Sequence, residues 1–331
     1  MTMLRRRVLG TLAASGAAIA FDVRQTGSFA QTFPARQVRM VTPFPPGAGP
    51  DAALRVLSDR LSRDWNQPIV VDNRPGGNGF IAVSAFKQGN ADGYDLIELD
   101  NSHITTHPHI FRNLPYNVAA DFTPLAMILR TWFFVAVAAD GPYKTLGDIV
   151  AAAKAAPGKI NYGSWFIGSP GHLGALRLQQ MTGTEMTHVP YRDFGQLYTA
   201  VGNRELDWAL GSIGSAGGME QSGKIRFIAF AAPARDKLYP NVPCTAELPG
   251  FKGYEVQGWV GLFAPRSAPG PVCQHITADV SKALKSPALL ERYGSLGYEA
   301  PDITLQTFAS LIQRDTDVWA SVIRTAEVHL D

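Results

Sequence analysis

Two glycine-bearing turns carry the residues best placed to do chemistry. The first reads Phe44-Pro45-Pro46-Gly47-Ala48-Gly49-Pro50-Asp51, and the second Ser164-Trp165-Phe166-Ile167-Gly168-Ser169-Pro170-Gly171-His172. Each follows a short β-rich run and precedes a helical pattern. At such a place the start of a helix presents unpaired N–H groups and the positive end of its dipole, which suits a carboxylate. Gly47 and Gly49 let backbone approach a ligand closely. Glycines also turn ordinary βα corners, and Asp51, beside Pro50, equally fits a helix-capping role, so the turns alone leave binding and architecture both open.

Catalytic readings fare less well. Neither Gly163-Ser164-Trp165-Phe166-Ile167 nor Gly168-Ser169-Pro170-Gly171-His172 completes the Gly-x-Ser-x-Gly elbow of a serine hydrolase. An exported α/β hydrolytic enzyme remains the runner-up. No Walker motif occurs, and Gly76-Gly77-Asn78-Gly79 lacks the third glycine of a dinucleotide fingerprint, so no nucleotide or other cofactor is expected. His103, His107 and His109 cluster in sequence, but Pro108 breaks helical presentation and no nearby Cys, Asp or Glu completes a ligand set; no metal is expected. Trp208, Trp259 and Trp319 lie in apolar periodic segments and read as core, whereas Trp165 lies in a turn and reads as a pocket wall or a surface residue.

The 331 residues are 46% hydrophobic and 18% charged, ordinary globular composition with enough chain for two domains. Of the formal net charge of +2, Arg5, Arg6, Arg7 and Arg24 against Asp22 belong to the first 30 residues. The body is therefore close to neutral, which argues against nucleic acid as a partner. Residues 1–30 run from the basic Arg5-Arg6-Arg7 through a weakly apolar stretch to Ser28-Phe29-Ala30, the form of a signal peptide cleaved before Gln31. The Arg-Arg-Arg-Val-Leu start leans toward twin-arginine export. The apolar run falls short of the ~20 residues of a spanning helix. The expectation is a periplasmic, monomeric protein. Cys244 and Cys273 could pair in an oxidising compartment, but two cysteines do not make a disulfide framework.

The elements that must position the two turns repeat a strand, turn, helix pattern, which predicts an α/β protein with parallel sheets. Strands are predicted at 38–42, 69–71 and 95–99, then at 133–138, 160–162, 187–189, 207–210 and 226–231, with a long apolar strand at 259–265. Helices are predicted at 51–65, 145–156, 172–181, 269–284, 287–296 and 304–327. The runs 133–138 and 259–265 read as two crossings between domains. Domain 1 is then 31–132 with 266–331, and domain 2 is 133–265 with both crossing strands. Two crossings rather than one linker make a cleft able to close on a ligand by hinge motion.

In this order along the chain, Thr42-Pro43-Phe44-Pro45-Pro46-Gly47, Asp72-Asn73-Arg74-Pro75-Gly76-Gly77, Asp92-Gly93-Tyr94, Pro157-Gly158-Lys159-Ile160-Asn161-Tyr162-Gly163-Ser164, His188-Val189-Pro190-Tyr191 and Gly261-Leu262-Phe263-Ala264-Pro265 resemble the landmarks of the Bug family. These are substrate-binding receptors of tripartite tricarboxylate transporters, and the match covers about residues 34–331. The resemblance implies two doubly wound domains of the periplasmic-binding-protein type 2 (Venus-flytrap) form. It also implies a small organic mono- or dicarboxylate captured for membrane permease subunits, with a receptor for a signalling partner as a further alternative. Its ligand would be held by main-chain amides and small polar side chains. Carried onto this chain, the candidate site is Phe44, Pro45, Gly47, Ala48, Asp51, Ser164, Trp165, Phe166, Gly168, Ser169, His172, Tyr191 and Ser212. The chain departs from the family pattern where Ala48 replaces a glycine, where Trp165-Phe166-Ile167 replaces smaller residues, and beside Gly211-Ser212, where an acidic or amide residue is usual. Trp165 and Phe166 facing Phe44 would favour a flat, ring-bearing acid, whereas a Trp165 that only shrinks the cleft would suit short aliphatic acids.

Overall fold

The structure is a computed structural model that describes residues 33–191 and 193–330. Strand β1 (Val38–Thr42) has Val38, Met40, Val41 and Thr42 buried, the two-sided burial of a strand in the middle of a sheet covered on both faces. It pairs in parallel with β2 (Ile69–Asn73) and β3 (Asp95–Asp100). Helix α1 (Gly49–Trp65) starts with Pro50 in its first turn and stops at Asn66, a left-handed C-cap. Its Ala53, Leu54, Leu57 and Leu61 are fully buried in the core beside Met40 and Leu96. Each such leucine contributes ~1.5–3 kcal/mol by leaving water.

The first sheet runs β2-β1-β3-β10-β4, with β4 spanning Phe122–Trp132 and β10 spanning Gln257–Pro265. The second runs β7-β6-β8-β5-β9, from β5 (Phe134–Ala138), β6 (Asn161–Ser164), β7 (Thr187–Pro190), β8 (Trp208–Gly211) and β9 (Ile225–Phe230). The two orders are equivalent: β1 and β6 hold the same place, as do β3 and β8. In each sheet one long-range strand, β10 or β5, enters antiparallel.

The chain crosses between sheets at Trp132-Phe133 and at Val256-Gln257, and the crossings lie side by side, Phe133 N–H donating to the Val256 carbonyl at 3.2 Å. Both crossing strands were expected in the second domain; β5 is there, but β10 pairs with β3 and β4 in the first sheet. An apolar run buried on both faces fits the middle of either sheet, so the pattern 259–265 could not choose. β4 was not predicted because Pro124 interrupts its sequence. It stands at the sheet's edge, where a proline costs no ladder bond.

Helices α2 (Phe80–Lys87), α3 (His107–Ile110), α4 (Val118–Asp121), α5 (Leu146–Ala155) and α9 (Gly270–Leu284) complete the layers, and those that matter for the cleft are α6 (Pro170–Thr182), α7 (Phe194–Gly202), α8 (Ile213–Gln221), α10 (Pro287–Ser295) and α11 (Leu305–Thr325). Behind the cleft, Ile110, Leu173, Trp319, Val322 and Ile323 form an apolar cluster in which α11 packs on α6. Cys244 and Cys273 are free buried thiols in the cores of different sheets. The leader expected at 1–30 lies outside the described residues.

Candidate functional site

A cleft of about 540 Å³ opens beyond the carboxyl ends of β1, β3, β6, β7 and β8. Four helix starts reach its lining: Ala48, Gly49 and Pro50 of α1, Pro170 of α6, Asp193 and Phe194 of α7, and Ser212, Gly214 and Ser215 of α8. First-turn N–H groups have no intrahelical acceptor, so four positive dipole ends point at one space, which also holds the carboxylates of Asp100 and of Asp193, the cap of α7. Lysine and arginine are absent from the described lining residues.

Of the thirteen sequence-expected residues, the cleft lining takes Phe44, Pro45, Gly47, Ala48, Trp165, Phe166 and Ser212. Ser212 caps α8, its hydroxyl accepting from Ser215 N–H at 3.2 Å. Trp165 stacks on Phe133 with centroids 5.5 Å apart and meets Phe194 at 5.4 Å. Together with Phe44 and Phe166, these rings make the cleft strongly aromatic.

The other six stand behind the lining. Asp51 is 1% exposed; its Oδ2 accepts from Gly47 N–H at 2.8 Å and from Arg55, and its Oδ1 accepts from Asn73 Nδ2 at 2.7 Å. Burial works against its ionisation, but Arg55, Asn73 and the Gly47 N–H together hold the carboxyl below the usual range. On the other side Gly168 N–H donates to His172 Nδ1 at 3.0 Å, and Ser169 caps α6, accepting from His172 N–H. Burial, with His188 beside it, pushes the His172 imidazole down to about 3; burial brings His188 to about 4. The two rings stack 4.1 Å apart. Ser164 is fully buried, its hydroxyl donating to the Phe166 carbonyl and lying 2.7 Å from His188 Nε2. A serine beside a neutral imidazole invites a nucleophilic reading, but this one is closed to substrate. Tyr191 donates its N–H to the Ser164 carbonyl and packs partly on the core of the second sheet.

Sequence reasoning missed Asp100, Asn101, Phe133, Asp193, Phe194, Gly214, Ser215 and Tyr298 in the lining. Signals existed for some of them. Asp193-Phe194 follows β7 as a capped helix start, and Ser212-x-x-Ser215 is a capping box. Asp100 Oδ1 accepts from His103 Nδ1 at 2.5 Å. Burial opposes its ionisation, yet His103, with His107, holds the carboxyl below its ordinary value. Beneath α1, Glu98 is fully buried. Its Oε2 accepts from Thr42 Oγ1 at 2.5 Å, and no described group meets Oε1. Burial pushes this carboxyl well up, and Asp51 and Asp100 add to the effect. His107 Nδ1 lies 3.1 Å from the Tyr116 hydroxyl, which donates to the His103 carbonyl. Among the described residues, no group of three His, Cys, Asp or Glu is arranged to hold a metal ion.

A family model described as the tripartite tricarboxylate transporter family receptor matches residues 53–328. BugT of Bordetella pertussis is 29% identical over 300 residues, covering 89% of this chain and 90% of its own. A Rhodopseudomonas palustris protein solved with adipate is 29% identical, with a TM-score of 0.80 over 90% of this chain and all of that one. MatC from the same species, solved with malate, is 28% identical, with a TM-score of 0.74 over 88% of this chain and all of MatC.

Proposed function

The chain belongs to the tripartite tricarboxylate transporter receptor family, periplasmic solute-binding proteins rather than enzymes, and from that premise we propose that its cleft captures a small, ring-bearing organic carboxylate and delivers it to a membrane permease. The observation that carries the carboxylate is the meeting of four helix starts on a cleft whose described lining holds neither lysine nor arginine. Oriented main-chain N–H groups supply the positive potential that a cation would otherwise provide, and they keep it in a fixed geometry. Adipate and malate in related structures support an acid as ligand.

Selection among acids rests on Trp165, braced by Phe133 and Phe194, with Phe44 on the opposing turn. An aromatic wall offers offset stacking worth ~0.5–1.5 kcal/mol beyond burial. Export through the leader at 1–30, closure about the paired crossings and hand-over to permease subunits complete the proposal. The residues named for contact are Phe44, Pro45, Gly47, Ala48, Trp165, Phe166 and Ser212.

A thermal-shift panel of benzoate, terephthalate, adipate, malate and citrate tests it. A ligand at a hundredfold excess over Kd stabilises the folded state by ~2.7 kcal/mol, a rise of several degrees. Ring-bearing acids should give the largest rise, and Trp165→Ala should remove their advantage alone. Equal loss for every acid would overturn the aromatic preference, and no rise from any acid would overturn the carboxylate.

A further inference from the structure

Tyr298 follows α10, far in sequence from either turn, yet it lines the cleft where the two sheets face each other. A Cβ placed on Gly49, in the first turn of α1, would fall 1.9 Å from the Tyr298 hydroxyl; one placed on Gly214, in the first turn of α8, would fall 3.5 Å from it. The phenol therefore lies over two helix starts that belong to different sheets. Glycine at position 49 is what leaves room for it.

Its position is held from several sides. Tyr298 N–H donates to the Tyr293 carbonyl at 3.0 Å, and the next residue, Glu299, exchanges two main-chain hydrogen bonds of 2.9 Å with Arg130 of β4. The Glu299 carboxylate also accepts from the Arg130 guanidinium at 2.6 Å. Gly297, at φ +74, brings the chain against Ile213. The hydroxyl itself has no hydrogen-bond partner among the described residues, so a ring fixed by its neighbours offers a free donor to the cleft.

We infer that Tyr298 is a ligand-contacting residue whose hydroxyl donates to a carboxylate oxygen of the captured acid at the place where the starts of α1 and α8 converge. This rests on the carboxylate reading of the cleft. Burial, with Glu98 nearby, pushes the phenol up to about 12, so the donor proton stays in place at neutral pH. One hydroxyl then links ligand capture to the apposition of both sheets. Opening the cleft separates α8 from the phenol, and the acid loses part of its cradle.

The test is calorimetry with benzoate and adipate on wild type, Tyr298→Phe, Gly49→Ala and the double variant, with the melting temperature of each unliganded protein as a control. Tyr298→Phe should weaken the acids about tenfold or more, the loss of a hydrogen bond to a charged group, and leave the unliganded melting temperature within a degree. Gly49→Ala pushes the phenol aside and should cost a similar factor, but much less in the Tyr298→Phe background, where the clashing oxygen is gone. Affinity within twofold of wild type in Tyr298→Phe, or additive costs in the double variant, would overturn the role of Tyr298 while leaving the carboxylate reading intact. If wild type binds neither acid, both fall.

Discussion

The β1–α1 turn and the β6–α6 turn occupy equivalent places in the two sheets, and they are closed by the same device built from different chemistry. Gly47 and Gly168 have φ of +83 and +85, conformations that disfavour any side chain, and each turns its N–H inward. Four residues later, on the third helical position, a side chain receives it: Asp51 at 2.8 Å in one turn, His172 at 3.0 Å in the other. One acceptor is an ionised carboxylate tied also to Arg55 and Asn73, the other a neutral imidazole stacked on His188. The turn needs an acceptor there and not a charge. With those acceptors committed to the backbone, the faces turned to the cleft are Phe44-Pro45 and Trp165-Phe166.

The largest effect should come from breaking the charged turn. Asp51→Ala orphans the Gly47 N–H, takes one of the two acceptors of the Asn73 amide, which keeps the Phe44 carbonyl, and leaves Arg55 with Asn73 Oδ1 alone, and should destabilise the protein by about 3 kcal/mol in denaturant unfolding. Asp51→Asn keeps an acceptor and should recover most of that loss. If the asparagine variant is as unstable as the alanine one, charge matters and the equivalence of the two turns fails.

The neutral turn should show a smaller effect with a pH signature. An imidazole held at about 3 in the folded state and near ~6.5 unfolded takes up protons more readily in the unfolded chain. Its contribution is thus fully present above ~6.5 and is lost as pH falls toward about 3. His188, at about 4, and His107, at about 3, act in the same direction. The melting temperature should fall steadily from pH 7 to pH 4.5, and His172→Gln, which keeps an acceptor but does not titrate, should flatten part of that slope. An unchanged slope would mean that His172 is protonated without penalty.

Much of this architecture was legible because strand and helix periods are local. β1 was predicted at its observed bounds, and α1 only two residues short, because Leu54, Leu57 and Leu61 mark one face. β4 was hidden by Pro124. Helix α8 was hidden by Gly214, Gly217 and Gly218, poor helix formers; at Gly214 the close approach of the Leu296 carbonyl explains the choice. The cleft was half legible. The turn residues follow from βα topology, but Phe133, Phe194 and Tyr298 reach the cleft through a crossing, a third helix start and a late loop. No spacing along the chain joins Tyr298 to Gly49, and what unites them is a contact that only folding creates.

The most direct measurement of the central claim, that helix starts rather than cationic side chains hold an acid in this cleft, is calorimetric titration of the wild-type protein with benzoate and, separately, with benzamide at neutral pH. The two share ring and shape and differ in charge. The account predicts stoichiometric binding of the acid and an amide at least about a hundredfold weaker, ~2.7 kcal/mol, because the four helix starts recognise an anion. Equal affinity for the amide would contradict it.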